Sequence, residues 1–175
     1  MMRATQEEAL VAIVDRFVAV PFVVGGSSLL ALLGGNVEVG DIDLVVGSDR
    51  LDLVQALAGD WWAGIVTPDD HPHVHSQWLA ALDVGGEPIE IMGGLALVVD
   101  GVRWELPPRS SGMIELRGRS VPLAPIGPWV ALYSVYQPSR ALELAAFLSP
   151  QEQQRTAREL PPGFGIDWPP GNVVA

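Results

Sequence analysis

The chain has no cysteine and no lysine among its 175 residues. Without cysteine there are no disulfides and no thiolate metal sites, so a metal could be held only by oxygen or imidazole ligands. Without lysine, all 10 basic residues are arginines, set against 21 acidic ones. The resulting net charge of −11 repels a polyphosphate backbone. A nucleic-acid partner is therefore disfavoured, and a small or cationic acceptor fits better. A clean long apolar run is also missing. Phe17 to Val37 carries no charge and has the length of a membrane span, but Pro21, two Gly-Gly pairs, Ser27, Ser28 and Asn36 interrupt it. A buried strand followed by a buried helix explains it better, and no membrane contact is expected. No basic region precedes an apolar one at the N-terminus, so a signal peptide is not expected and the cytoplasm is the default location.

What is present is enough for one domain, since 49 % of the residues are hydrophobic. The informative stretch is Phe22 to Val46, FVVGGSSLLALLGGNVEVGDIDLVV. An apolar strand, Phe22 to Val24, runs into Gly25-Gly26-Ser27, which opens a helix over Ser28 to Leu33. Glycines at such a junction let a ligand approach the backbone, and the free N–H groups of a helix start favour an anion. A second strand then carries Asp41-Ile42-Asp43. Residues two apart on a strand share a face, so Asp41 and Asp43 project together while Ile42 and Leu44 turn to the other side. Paired carboxylates in an apolar strand repel each other, and a hard divalent cation removes that cost. An anion seat joined by one helix to a metal-holding pair suits phosphoryl or nucleotidyl transfer.

In type, order and separation, Gly25-Gly26-Ser27 and Asp41-Ile42-Asp43 resemble the motif of the nucleotidyltransferase superfamily, the polymerase-beta-like fold. The likeness is nearest to small bacterial members related to abortive-infection toxins, antitoxins and antibiotic-modifying enzymes. It implies an α+β (α/β) architecture, a mixed twisted sheet flanked by helices with a helical segment after it. It also implies Mg²⁺ or Mn²⁺ on Asp41, Asp43 and a third carboxylate, and an NTP whose phosphates rest on Gly25, Gly26 and Ser27. Ile89-Glu90-Ile91 repeats the local pattern of the aspartate strand, so Glu90 is the first candidate for that third acid, with Glu87 and Asp83 as runners-up. The chain also departs from its relatives. Glu38 and Gly40 stand where many carry arginine and a hydroxyl residue, and the basic cluster of the later helix shrinks to Arg140 and Glu143. The implied activity is transfer of a nucleoside monophosphate to a small acceptor or a protein. The alternative is a catalytically weak module serving as an antitoxin or regulatory partner.

The remaining elements follow from periodicity. Thr5 to about Val18 reads as an amphipathic helix with a Thr5/Glu8 capping box and a stripe of Leu10, Val11, Val14, Phe17 and Val18. A helix is expected over Asp49 to Ala58 and a strand over Trp61 to Val66, followed by a polar loop from Thr67 to Pro72. In HPHVH, extended backbone would point His71, His73 and His75 the same way, toward a transition metal or a substrate; a solvated loop or an edge strand is the simpler reading. Gln77 to Val84 and Pro88 to Met92 form a hairpin around Gly85-Gly86-Glu87. A meander of Ala96–Val99, Val102–Leu106, Met113–Leu116 and Ser120–Leu123 follows. Its Arg103, Arg117 and Arg119 could meet a triphosphate but are more simply exposed strand residues. Pro125 to Leu148 is helical, broken near Gln137-Pro138-Ser139, with Trp129, Leu132, Tyr133, Leu142, Leu144, Ala145 and Leu148 as its apolar stripe. A polar helix runs from Pro150 to about Leu160. The expected organisation is a nucleotidyltransferase-like domain over 1–124, a helical segment packed on it over 125–160, and a Pro/Gly-rich tail over 161–175 in which Phe164 and Trp168 could act as anchors.

Overall fold

The computed structural model describes residues 1–67, 71–106 and 108–160. The expectations for the tail, including Phe164 and Trp168, lie outside the described residues. In chain order the elements are α1 (Ala4–Arg16), β1 (Phe22–Val24), α2 (Gly26–Leu32), β2 (Ile42–Val46), α3 (Leu51–Ala58), β3 (Trp62–Val66), β4 (Val74–His75) and β5 (Trp78–Val84). There follow β6 (Glu87–Gly93), β7 (Ala96–Val99), β8 (Val102–Glu105), β9 (Gly112–Leu116), β10 (Arg119–Leu123), α4 (Ile126–Tyr136), α5 (Pro138–Ala145) and α6 (Pro150–Glu159). No helix among the described residues is long and apolar enough to cross a membrane. The uncharged stretch is instead the turn that follows α1, then β1 and α2.

The main sheet has seven strands in the order β3-β5-β6-β2-β1-β10-β9. It is mixed: β2 runs parallel to β6 and β1 parallel to β10, while the other pairs are antiparallel. A second, three-stranded sheet has the order β4-β7-β8. The expected meander is therefore divided: its first hairpin belongs to the small sheet and its second closes one edge of the large one. The hairpin between β5 and β6 turns on Gly85 and Gly86 alone, both at positive φ (65° and 85°), so Glu87 is the first residue of β6 and not part of the turn.

Strand alternation decides what each face carries. Along β6, Glu87, Ile89, Ile91 and Gly93 are buried, while Glu90 and Met92 lie on the opposite face, half-buried. The Ile89/Ile91 face is covered by α1, whose Gln6, Ala9, Leu10 and Ile13 are buried. Glu87 shares that face, accepting hydrogen bonds from the Arg3 guanidinium and the Thr5 hydroxyl, each at 2.5 Å. This corrects two sequence expectations. Thr5 does not cap α1: the helix begins at Ala4, and Gln6 Oε1 accepts the Arg3 N–H at 2.9 Å. The buried stripe of α1 runs through Ile13 and not Val18, which is 85 % exposed. A nearly all-apolar helix end offers two competing stripes, and the sheet selects between them. In the same way Ala141 takes the buried position on α5 while Leu142 faces solvent. On the other side of the sheet, α4 packs against α5 and α6.

Candidate active site

The parallel register of β2 and β6 pairs Ile42 with Ile89, Asp43 with Glu90 and Leu44 with Ile91. Because both strands alternate with period two, this register sends Ile42, Ile89, Ile91 and Leu44 into the core and the two acids to the opposite face. Asp41 sits one residue before β2 and joins them. Carboxylate oxygens of Asp41, Asp43 and Glu90 all lie within 4.8 Å of one another, and each residue keeps partial solvent access. This is the sole group of its kind among the described residues. The two runners-up are elsewhere. Glu87 is held on the α1 face, and Asp83 Oδ1 accepts the Gly86 N–H at 2.7 Å in the hairpin turn.

The glycine turn is packed against the carboxylates. The Gly25 N–H donates to the Asp43 carbonyl at 2.9 Å, and the Ser28 hydroxyl donates to the Asp41 carbonyl at 3.2 Å. Both glycines are sterically required. A Cβ on Gly26, whose φ is +57°, would fall 1.7 Å from Asp43 Oδ2, and a Cβ on Gly25 would fall 2.0 Å from the Trp129 ring. The Ser27 N–H meets the Asp43 carboxylate, and Ser27 and Ser28 are buried.

Burial is the largest influence on Asp43, followed by the charges of Asp41 and Glu90; together they push its carboxyl up to about 8, against the Ser27 N–H and the Arg140 charge. The donor set is all oxygen, all carboxylate, crowded, and electrostatically under-compensated. It therefore fits a hard divalent cation.

The wall facing the carboxylates comes from α4 and α5, and sequence reading assigned it no site role beyond a reduced basic cluster. Trp129, Tyr133 and Tyr136 recur at helical spacing, with ring centroids 5.6 Å and 5.4 Å apart. Burial, then the Asp43 charge, raises Tyr133 to about 12, and Arg140 opposes this by its charge first and by a hydrogen bond second. Tyr136 is raised further by burial and by Tyr133. Both phenols therefore stay protonated at neutral pH. Arg140, at the start of α5, is the cation that acts on both Asp43 and Tyr133.

The three other arginines considered are engaged elsewhere. Arg103 donates to the Gly94 carbonyl at 2.6 Å. Arg117 pairs with Glu7 and Glu8, and Arg119 with Asp15, clamping the β9–β10 hairpin to α1.

The histidines part company. Only Val74–His75 is strand, so the three rings do not line up, and they form no metal-binding group among the described residues. His71 packs edge-on against Tyr136 at 5.5 Å and lines a cavity of about 250 Å³ beside Asp43 and Glu90. The His73 ring hydrogen-bonds the Val98 carbonyl at 3.0 Å, and the His75 ring the Pro72 carbonyl at 3.4 Å.

A mixed sheet that presents an Asp-x-Asp strand beside a strand-glycine-helix turn, with a third acid on the next strand, defines a nucleotidyltransferase fold. Comparison with solved structures agrees. A Thermotoga maritima protein assigned as a nucleotidyltransferase, TM1012, superposes with a TM-score of 0.67 at 23 % identity, over 84 % of this chain and 94 % of its own. The antibiotic-resistance factor ANT(2″)-Ia matches at 0.57 and 18 % identity, over 90 % of this chain and 91 % of its own. The lincosamide antibiotic adenylyltransferase LnuA, with lincomycin bound, matches at 0.52 and 15 % identity, over 88 % of this chain and 99 % of its own. No family model and no curated protein sequence matches the chain.

Proposed function

We propose that the chain is a metal-dependent nucleotidyltransferase that moves a nucleoside monophosphate from an NTP to a small acceptor, releasing pyrophosphate. The observation that carries this reading is the convergence of Asp41, Asp43 and Glu90 within 4.8 Å beside the glycine turn of a nucleotidyltransferase fold. Asp41, Asp43 and Glu90 would hold Mg²⁺ or Mn²⁺. When bound, such an ion supplies positive charge against the phosphate oxygens. Gly25, Gly26 and Ser27, at the start of α2, hold the β and γ phosphates, and Arg140 adds the nearby side-chain cation. Glu90 takes the proton of the attacking hydroxyl. The acceptor oxygen bonds to the α-phosphorus, the bond to the bridging oxygen breaks, and pyrophosphate leaves. Tyr133 and Tyr136, held protonated, donate hydrogen bonds and do not act as bases.

A small acceptor is supported by the neighbours, one of which is described in complex with adenylyl-2″-tobramycin and another with lincomycin. The net charge of −11 favours a cationic one. Titration calorimetry with the magnesium complexes of ATP, GTP, CTP and UTP tests the first half of the reading. Binding of at least one is expected, and binding of none defeats it. Labelled NTP offered with tobramycin, lincomycin and simpler amino alcohols then tests transfer.

A second reading is favoured by one observation: Arg103, Arg117 and Arg119 are committed to structural contacts, which leaves few cations for a triphosphate. In that reading the chain keeps the fold as a regulatory or antitoxin module. Stable co-purification with a protein partner, without a thermal shift on adding Mg²⁺ and NTP, would favour it.

A further inference from the structure

The sheet order gives the proposed reaction a direction, and that direction assigns a role to His71. The strands run β1-β2-β6-β5 across the site. The glycine turn follows β1, Asp43 is on β2, Glu90 on β6, and Leu79 on β5. In an in-line displacement the attacking and leaving oxygens lie on opposite sides of the phosphorus. If pyrophosphate leaves toward the β1 side, the acceptor enters from the β6–β5 side. There lies the cavity of about 250 Å³, with Asp43 and Glu90 on one wall, Leu79, Met92 and Leu95 among its apolar lining, and His71 and Tyr136 facing in. None of Gly25, Gly26 or Ser27 lines it.

His71 is fixed there by its own loop. Its Nδ1 accepts two backbone N–H bonds, from His73 and from Val74, each at 3.1 Å. Those donors are themselves anchored to the small sheet: Val74 pairs with Leu97, His73 bonds Val98 through both its ring and its carbonyl, and the Tyr136 ring backs the imidazole. A nitrogen that accepts two N–H bonds carries no proton, so the ring proton belongs on Nε2. The HPHVH loop thus presents a donor of fixed tautomer to the cavity that Asp43 and Glu90 also line.

Resting on the nucleotidyltransferase reading, we propose that His71 is a positioning residue for the acceptor. Its Nε2–H donates to an oxygen of a small hydroxyl-bearing acceptor and thereby orients the attacking hydroxyl toward Glu90.

The test uses the full chain labelled with ¹⁵N-histidine, with its three histidines assigned by substitution. Two-bond ¹H–¹⁵N correlations at pH 8 should show His71 with its proton on Nε2. A proton on Nδ1, or on both nitrogens, overturns the proposal. Ethanolamine, glucosamine and tobramycin are then added in the presence of Mg²⁺ and a non-hydrolysable ATP analogue. At least one should shift the His71 Nε2 resonance while His75 stays unmoved; no shift at His71 from any of them overturns the proposal.

Two variants separate the nitrogens. His71→Gln keeps an N–H near the Nε2 position, whereas His71→Asn keeps the acceptor that the backbone uses and is too short to bring its N–H groups to the Nε2 position. For the responding probe, His71→Asn should raise KM by about tenfold, the loss of one hydrogen bond, while His71→Gln stays near wild type. The Kd for Mg-ATP should not change in either. Equal effects of the two variants, or a loss of Mg-ATP affinity, overturns the assignment. A His71 shift with no pyrophosphate release by the wild type breaks the transfer reading alone and still supports His71 as a ligand contact.

Discussion

At Asp43, burial and two neighbouring carboxylates act in one direction, and the Ser27 N–H with Arg140 opposes them only in part. Such a residue stabilises a bound cation at the expense of the metal-free fold. Asp43→Asn should therefore separate the two properties. Mn²⁺ affinity is expected to fall by at least about tenfold, and the melting temperature without metal at pH 8 to rise. Calorimetric titration and scanning calorimetry would read the two effects, and a lower metal-free melting temperature would contradict the account. Gly26 shows the same carboxylate from the other side. Alanine there would place a methyl group 1.7 Å from Asp43 Oδ2 while holding φ at +57°. The backbone alone costs about 1–2 kcal/mol in that conformation, and the clash with Asp43 adds to it. Gly26→Ala should thus lower stability by at least that amount in urea denaturation and weaken Mn²⁺ binding together. Loss of stability with metal affinity intact would mean that the carboxylate moves aside freely.

The pairing of β2 with β6 is the element that builds the site, and much of it could be read in advance. Asp41-Ile42-Asp43 and Ile89-Glu90-Ile91 each alternate acid and β-branched residue, and period two fixes which side of a strand an acid takes. Glu87 also obeyed parity, but its partners Arg3 and Thr5 are far away in sequence, so its commitment to α1 was invisible. The aromatic wall and Arg140 were harder still. Trp129, Tyr133 and Tyr136 read as core at helical spacing, and only the docking of α4 turns that stripe toward Asp43. The HPHVH segment matches the simpler reading, a loop that leads into an edge strand, but its detailed shape could not be read in advance. Loop conformation follows from turn hydrogen bonds such as those to His71 Nδ1, not from periodicity. The arginines of the β9–β10 hairpin give a prediction at this scale. Because Arg117 and Arg119 clamp the hairpin to α1 through Glu7, Glu8 and Asp15, replacing both by alanine should leave the Kd for Mg-NTP within about twofold, since exposed ion pairs away from a site act weakly on it. A large loss of affinity would return them to the triphosphate.

Across the whole molecule, the acids set opposing pH dependences. Asp43 starts from 3.8 when unfolded and reaches about 8 when folded. Between those values the folded state binds the extra proton, so the metal-free fold loses stability as pH rises through that window. Glu87 is shifted the other way, held below its usual range by the Thr5 hydroxyl and then by Arg3. Its contribution is present above about pH 4.5 and is lost as pH falls below it. Asp60 and Glu152, also lowered, act in the same sense as Glu87. The metal-free protein should therefore be most stable in mildly acidic buffer and weaken toward pH 8. A divalent cation competes with the Asp43 proton, so adding Mg²⁺ should raise the melting temperature at pH 8 and change it little at pH 5. Because the chain carries a net charge of −11, any salt screens part of its self-repulsion. The measurement must therefore compare MgCl₂ with NaCl at equal ionic strength. A shift of equal size in the two salts would reduce the carboxylate cluster to ordinary surface charge, whereas a magnesium-specific shift that disappears in Asp43→Asn would tie the pH dependence to metal binding at that cluster.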